Sequence, residues 1–517
     1  MKNIVNIINF VRGIEPRDDS IDLLGALREE LKLCRQYAFP NTVLFQYDAL
    51  IKPEYQKLVK EYEDLSELGL WLEVVQPLTE DTGIPWRGRW GWDWHNDVGF
   101  LIGYEPEDRK RLIDTAFLKF KEIFGFFPKS VGSWHIDAVS LAYMKETYGI
   151  AASCNCKDQY GTDGYTMWGG YYNGAYYPSK LNMFAPAQTR ENQIDLPVFR
   201  MLGSDPIHQY DLGLGQNGDY NPSSCQGVSS LEPVYDDSGA SKKWVEWYFR
   251  ENFNGKSLSF AYTQAGQENS FGWPDISKGL PMQFDLLKEK QRRDEIEVMT
   301  LGQSGEWFKN TYSQTPCASM CIDSDYGPQQ NQTVWYYNKY YRVNLLQQDG
   351  RLWIRDFYLF DEKFPEKYLS EREEQNQCGF YNLPIMDGFR FSRGTVRAGI
   401  YPVCNGKPLA FDSPYWTKTE GTDTVWAGFG KELVYHIEEK HISITCEKPD
   451  WALFFAVGNG IELPYRKVSS QTLELSFAGY LKVAYNYTLN LKQGTFRQTE
   501  EGLFILPENG KILIQTA

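Results

Sequence analysis

Acidic and amide side chains gather where short apolar runs of this chain end: Glu15 with Arg17, Gln46 with Asp48, Glu73 with Gln76, His135 with Asp137, Lys157 with Asp158, Ser204 with Asp205, and Gln264 with Gln267 and Glu268. Amides and carboxylates bind hydroxyl groups. Two carboxylates flanking a glycosidic bond can also cleave it, one as nucleophile or base, the other protonating the leaving oxygen. Taken singly, each acid reads equally well as a helix cap or a salt-bridge partner. Their concentration at run ends carries the inference. In "VGSWHIDA" (131–138), Asp137 has both readings: it precedes the helical "VSLAYMKETYGI" at capping distance, and it closes an apolar run.

Two long segments add aromatic surface. "TGIPWRGRWGWDWHNDVGFLIGY" (82–104) interleaves Trp92 and Trp94 with His95 and Asp97, and "KDQYGTDGYTMWGGYYNGAYYPS" (157–179) contains Asp163 and Trp168. Flat rings stack on the apolar face of a sugar while charged neighbours take its hydroxyls, and long ordered loops usually carry function. The alternative is that such rings simply cover a core. Other chemistries find little support. There is no G-x-S-x-G or H-E-x-x-H, and only five histidines are available for a nucleophile's base. No motif requires a cofactor. If a metal were held, zinc on His95, Asp97, Asp137 and His208 is the set the residue types allow.

The elements that would position these residues alternate over the first three hundred residues. Strand-like "NIVNIINFV", "TVLFQY", "LGLWLEVVQ", "SVGSWHI", "GIAASCN", "IDLPVFRML" and "SLSFAYTQ" are separated by amphipathic patterns such as 21–37 and 108–125, and 227–235 reads as a short extra strand. This predicts an α/β fold, an irregular (β/α)7-type barrel over 1–330, with working residues at the C-terminal strand ends. From 331 to 517 short alternating segments with turn residues predict a β-sandwich, with a hairpin corner at Gln348-Asp349-Gly350. The charged stretch 361–377 reads as a solvated helix within it.

Composition narrows the partners. Aromatic residues make up 15% of the 517, and net charge is -15 without a basic run, which argues against nucleic acid and anionic membranes. The first residues lack a secretory leader's uninterrupted core, because Asn6 and Asn9 break it, and no run approaches the roughly 18 apolar residues of a span. Nine cysteines without a secretory signal read as reduced thiols of a cytoplasmic protein.

"VGSWHIDAVSLAYMKETYGI" resembles the segment of family 38 α-mannosidases in which Gly-Trp-x-Ile-Asp-Pro-Phe-Gly carries the nucleophilic aspartate, and Tyr148-Gly149-Ile150 resembles the lead into strand five of the wider glycoside hydrolase/deacetylase barrel superfamily. Family 57 glycosidases and NodB-type polysaccharide deacetylases belong to that superfamily. More broadly, region 1–330 resembles a group of gut-bacterial proteins assigned to it, which implies a fold rather than a reaction. The resemblance implies a barrel with its nucleophile at Asp137 and an acid/base on a late strand, where "TQAGQENSFGW" offers Glu268. The chain departs from the pattern in several places. The first strand ends "NFVRGIEPRD" without the mannosidase His-x-Asp; "HNDVGF" (95–100) follows the third strand instead; Ala138-Val139-Ser140 replaces Pro-Phe-Gly; and the barrel region lacks the deacetylase histidine pair.

The expectation is a glycosidase acting on an oligosaccharide or glycoside through Asp137 and Glu268. Glu15, Arg17, Asp48, Glu73, Trp92, Trp94, His95, Asp97, Trp134, His135, Asp163, Trp168, Asp205 and Gln267 are expected around the sugar. A metal-dependent deacetylase or zinc mannosidase-like enzyme, and a non-catalytic glycan-binding protein, are the rivals.

Overall fold

A computed structural model describes residues 2–211, 225–481 and 483–517. The first strand, Lys2–Val11, is buried on both faces from Ile4 onward, as a central parallel strand must be. It pairs in parallel with Asn41–Phe45, and the ladder continues through Ser66–Trp71, Ser130–Gly132, Ala152–Asn155 and Val198–Arg200. The first strand also pairs in parallel with Phe260–Ala265 and with the short Glu297–Met299; seven parallel strands thus follow one another along the ladder among the described residues, with Glu297–Met299 as an eighth off that path. Laid flat, the outermost two of the seven successive parallel strands would lie about 29 Å apart at ~4.8 Å per step. Yet Phe199 and Tyr262, one on each of them, have ring centroids 5.1 Å apart, and the Leu202 N–H donates to Gln264 Oε1 at 3.0 Å. The sheet therefore curls until these two strands meet, with Ala175–Tyr176 added antiparallel outside Val198–Arg200. They meet through side chains, and no backbone ladder joins them among the described residues, so the expected barrel is realised only as an open, curled sheet.

The N-terminal end of this sheet is sealed by helix Leu301–Thr311. Glu67, at the start of the third strand, accepts from Gly302 N, Thr300 Oγ1 and Ser130 Oγ at 2.9, 2.8 and 2.5 Å. Asn6 of the first strand donates to Ser304 Oγ at 2.7 Å. That leaves the C-terminal strand ends as the open face.

Beyond residue 317 the described residues build two antiparallel sheets, one of ten strands and one of eight. Their inward residues, such as Val334, Ile354 and Leu453 from one and Val425, Ile442 and Ile512 from the other, form one apolar core. The expected hairpin forms: Tyr341–Gln348 pairs with Arg351–Leu359 through Asp349 (φ 51) and Gly350 (φ 72), the two left-handed residues of a tight two-residue turn. The expected boundary at 330 falls inside another hairpin, because Ala318–Ile322 pairs with Gln332–Tyr337.

Two readings need correction. No strand forms over 227–235, where Ser230 makes only an isolated bridge to Ser204. The stretch 361–377 is a strap rather than a solvated helix. Glu366, Tyr368 and Glu373 are buried in it, Arg109 donates to Tyr368 O at 2.6 Å, and the Glu373 N–H donates to Ile102 O at 2.7 Å. The strap runs into Cys378–Tyr381, which adds in parallel to Tyr165–Trp168 of the hairpin 159–168. A segment of the C-terminal half thus lies over the open end of the parallel sheet. No described helix is long and apolar enough to cross a membrane.

Candidate functional site

A cavity of about 640 Å³ opens at the C-terminal strand ends. Each wall follows from a strand terminating: Arg12, Glu15 and Arg17 after the first, Glu73 after the third, Trp134 after the fourth, Lys157 after the fifth, Glu268 after the seventh. The loop 82–104 contributes Trp92, Trp94 and His95, the tip of the hairpin 159–168 gives Asp163, and Glu232 closes one side.

Arg12 organises the floor. Its Nε and Nη2 bind Glu73 at 3.1 and 2.9 Å, its Nη1 lies 2.9 Å from Glu268 Oε2, and its guanidinium lies 4.2 Å from the Trp92 ring centroid. Burial pulls against the charge on Arg12, and Glu268 and Glu73 overcome that pull and hold it charged. The burial of Glu73 raises its carboxyl while the paired Arg12 opposes the rise. The backbone is fixed here as firmly as the side chains. Arg12 N donates to Asn269 Oδ1 at 2.8 Å, and Asn269 Nδ2 returns a bond to Arg12 O at 2.9 Å. Gly266 makes the close approach possible: its φ is +97°, and a Cβ would sit 2.3 Å from Ile8 O.

Around that floor the charges differ in how they are satisfied. Glu15 and Arg17 form a two-pronged pair at 2.7 and 2.5 Å, with Arg17 over Trp92 and Trp94. Glu232 accepts from Ser230 Oγ at 2.8 Å and faces Gln267 Nε2 at 3.5 Å; burial raises its carboxyl, Lys157 and Ser230 pull it down, and Glu268 adds to the rise. Asp163 sits at φ 55° on the hairpin tip, its carboxyl raised by the surrounding walls and by Glu268. Lys157 is buried, with no hydrogen-bond partner for Nζ among the described residues, and burial lowers its affinity for the proton. An ammonium in that position is a donor waiting for an oxygen.

Nine expected residues line the cavity: Glu15, Arg17, Glu73, Trp92, Trp94, His95, Trp134, Asp163 and Glu268. Gln267 lies just beneath, donating toward Glu232 and accepting from Glu268 N at 2.8 Å. The others do not reach it. Asp48 accepts from Gly13 N and Ala49 N, and burial raises its carboxyl to about 6. Asp205 is taken by Ile207 N, His208 N and Trp244 Nε1 at 2.9, 2.7 and 2.9 Å. Trp168 donates to Asp387 in the C-terminal half at 3.1 Å, and Asp97 is half-buried behind the loop.

Asp137, the expected nucleophile, is fully buried away from the cavity. Arg109 Nη1 lies 3.0 Å from its Oδ1, Ser140 N and Ser140 Oγ donate to it at 3.0 and 2.7 Å, and it caps helix Ala138–Tyr148. The strand ends at Gly132, so the two-residue alternation that would have aimed Asp137 at the mouth stops five residues early. Trp134 reaches the mouth instead. His135 turns onto Phe100, 4.4 Å between rings, and onto Asn96 Oδ1 at 3.0 Å, with burial lowering it to about 3.

The zinc set does not assemble either. Asp137 is engaged by Arg109, and His208 by Asp325 at 2.8 Å; against the pull of burial, Asp211 and Asp325 raise His208 to about 10. Among the described residues no three His, Cys, Asp or Glu side chains gather as a metal site. The site has three further members. Lys157 is among the run-end residues of the sequence, without an assigned role; Arg12 also closes an apolar run, a signal that points to it; Glu232 sits in irregular chain and carries none.

Comparison with known proteins places the fold. A family described as a domain of unknown function with a solved structure (DUF3863) matches residues 95–320. Among solved structures, a Parabacteroides distasonis protein provisionally described as a glycoside hydrolase/deacetylase is 18% identical. The alignment covers 73% of this chain and 88% of that one, with a TM-score of 0.52. A provisionally described polysaccharide deacetylase from Mycobacterium smegmatis is 12% identical (60% and 91% covered, TM-score 0.37), and a 4-alpha-glucanotransferase from Thermococcus litoralis 11% identical (99% and 97%, TM-score 0.31). The expected superfamily likeness is thus met at the level of fold. No curated protein matches the sequence.

Proposed function

We propose that the chain is a carbohydrate-active hydrolase that cleaves a glycosidic bond in this cavity, using Glu268 and Glu232. The observation that carries the reading is a pair of glutamates in different electrostatic settings facing one tryptophan-walled space. Glu268 is balanced by Arg12, while burial raises the carboxyl of Glu232. A carboxylate held against a guanidinium can meet positive charge developing at an anomeric carbon, and a carboxyl kept protonated can hand its proton to the leaving oxygen. The half-buried Trp94 and Trp134 on the cavity wall supply aromatic surface for a sugar, and Glu15, Arg17 and Asp163 supply partners for hydroxyls. The fold relative described as a glycoside hydrolase/deacetylase is consistent with this class.

A second reading is removal of an acetyl group from the same kind of sugar, and Lys157 is what favours it. Its partnerless Nζ in the cavity could receive the oxygen of a carbonyl under attack. One assay separates the two: purified protein with oligosaccharides, aryl glycosides and acetylated sugars, scored in parallel for new reducing ends and for acetate. Reducing ends lost in Glu268→Gln and Glu232→Gln support the first reading, and acetate without reducing ends supports the second. Binding with neither product would leave a glycan-binding protein.

A further inference from the structure

The hairpin 159–168 and strand Cys378–Tyr381 form a three-stranded sheet with cavities on both faces. Side chains alternate along a strand, and here the alternation divides them: Gln159 and Tyr165 face the candidate active cavity, whereas Tyr160 and Thr166 face a second one of about 840 Å³. The far wall of that second space comes from the C-terminal half, including Phe477 and Tyr480. Gly164, at the hairpin tip, and Gln377, on the strap, line both. The two spaces therefore share wall residues at the edge of a thin partition. The crest is packed tightly: Gly164 has φ +81°, its carbonyl accepts from Asn96 Nδ2 and Cys378 N at 3.0 Å each, and a Cβ there would stand 3.0 Å from Asn96 Nδ2 and 3.1 Å from Asn376 O.

The second space is furnished like the first. Tyr381, Phe477 and Tyr480 form an aromatic cluster with centroids 5.8–6.3 Å apart. Arg390 lies 5.6 and 5.8 Å from the rings of Tyr160 and Tyr381. Its guanidinium makes no hydrogen bond among the described residues, its nearest carboxylate being Asp387 at 4.0 Å. A planar five-donor group held beside ring faces without an acceptor suits a ligand rich in hydroxyl oxygens.

We propose that this groove binds the distal units of the same glycan whose scissile bond lies in the first cavity, so that the substrate is a chain several sugars long. The proposal rests on the glycosidase reading for the identity of the ligand. Within it, the partition's crest at Gly164 separates the reacting end from the holding end.

Calorimetric titration of the full-length Glu268→Gln protein with glucose and N-acetylglucosamine oligomers of increasing length tests it, with Arg390→Ala and Tyr381→Ala added in that background and thermal melts confirming the fold. Affinity should rise with length, and Arg390→Ala should lose about tenfold for long members while leaving the disaccharide unchanged. Affinity independent of length, equal losses for short and long members, or no binding by any member would overturn the groove. Groove-dependent binding without bond cleavage by the wild-type protein would instead overturn the glycosidase reading and leave the groove standing.

Discussion

Arg12 Nη1 and Glu268 Oε2 lie 2.9 Å apart, joining the end of the first strand to the end of the seventh across the floor of the cavity. The contact fixes a buried carboxylate on the cavity floor, and it ties strand Phe260–Ala265 to the first strand beyond their shared ladder.

Glu268→Gln should lower kcat by roughly 10²–10⁴-fold with the melting temperature little changed. Arg12→Met should do more harm to the fold. It leaves Glu73 and Glu268 buried without their cation, at a cost of roughly 3–5 kcal/mol in urea unfolding. Full activity in Glu268→Gln would remove this residue from the chemistry.

Glu232 sets the alkaline limb. Because burial raises its carboxyl, activity should fall as pH climbs through that raised value and the proton is lost. Glu232→Gln should abolish this limb and cost roughly 10²–10⁴-fold on natural glycosides. Dinitrophenyl glycosides, whose leaving group needs no proton, should be largely spared. Equal losses on both substrates would rule out a proton-donating role.

Asp137→Asn should behave as a structural lesion. Arg109 would keep its buried charge while losing the carboxylate, with a stability loss of roughly 3–5 kcal/mol. The kcat/KM of the folded fraction should equal that of the wild type. A loss of kcat at unchanged stability would return Asp137 to the catalytic set.

Glu366 couples the strap to pH. Its carboxylate accepts from Ala138 N and Met183 N at 2.9 and 2.7 Å, while burial, then the nearby Asp137, pushes it up to about 8. A folded value above the ordinary 4.5 means that the folded state holds the proton more tightly. Its contribution is therefore complete at acid pH and lost as pH rises through about 8. Urea unfolding from pH 5 to 9 should show a decline on the order of a few kcal/mol, flattened in Glu366→Gln. A wild-type profile that rises over this window would contradict the assignment.

The strands and helices of the first three hundred residues were legible because apolar periodicity is local. So was the hairpin at Asp349-Gly350, where two left-handed residues are demanded by the turn itself. The aromatic loop was legible by composition, and Trp92, Trp94 and His95 do reach the cavity. Asp137 does not reach the cavity because only an extended backbone as far as residue 137 would aim it there, and the strand stops at Gly132. Where a strand stops is decided by its neighbours, not by its own residues. Glu232 was invisible because the chain around it has no period, and the strap was invisible because charged side chains look solvated until their partners, here Arg109 and helix Ala138–Tyr148, are known.

Asn376 and Gln377, on the strap, border a cavity whose acids all lie before residue 276. A chain cut after residue 317 would keep every proposed acid and lose the strap that borders both cavities. The chemistry and the choice of substrate are thus written in different parts of the gene, and directed variation of residues 361–381 could redirect the second while sparing the first.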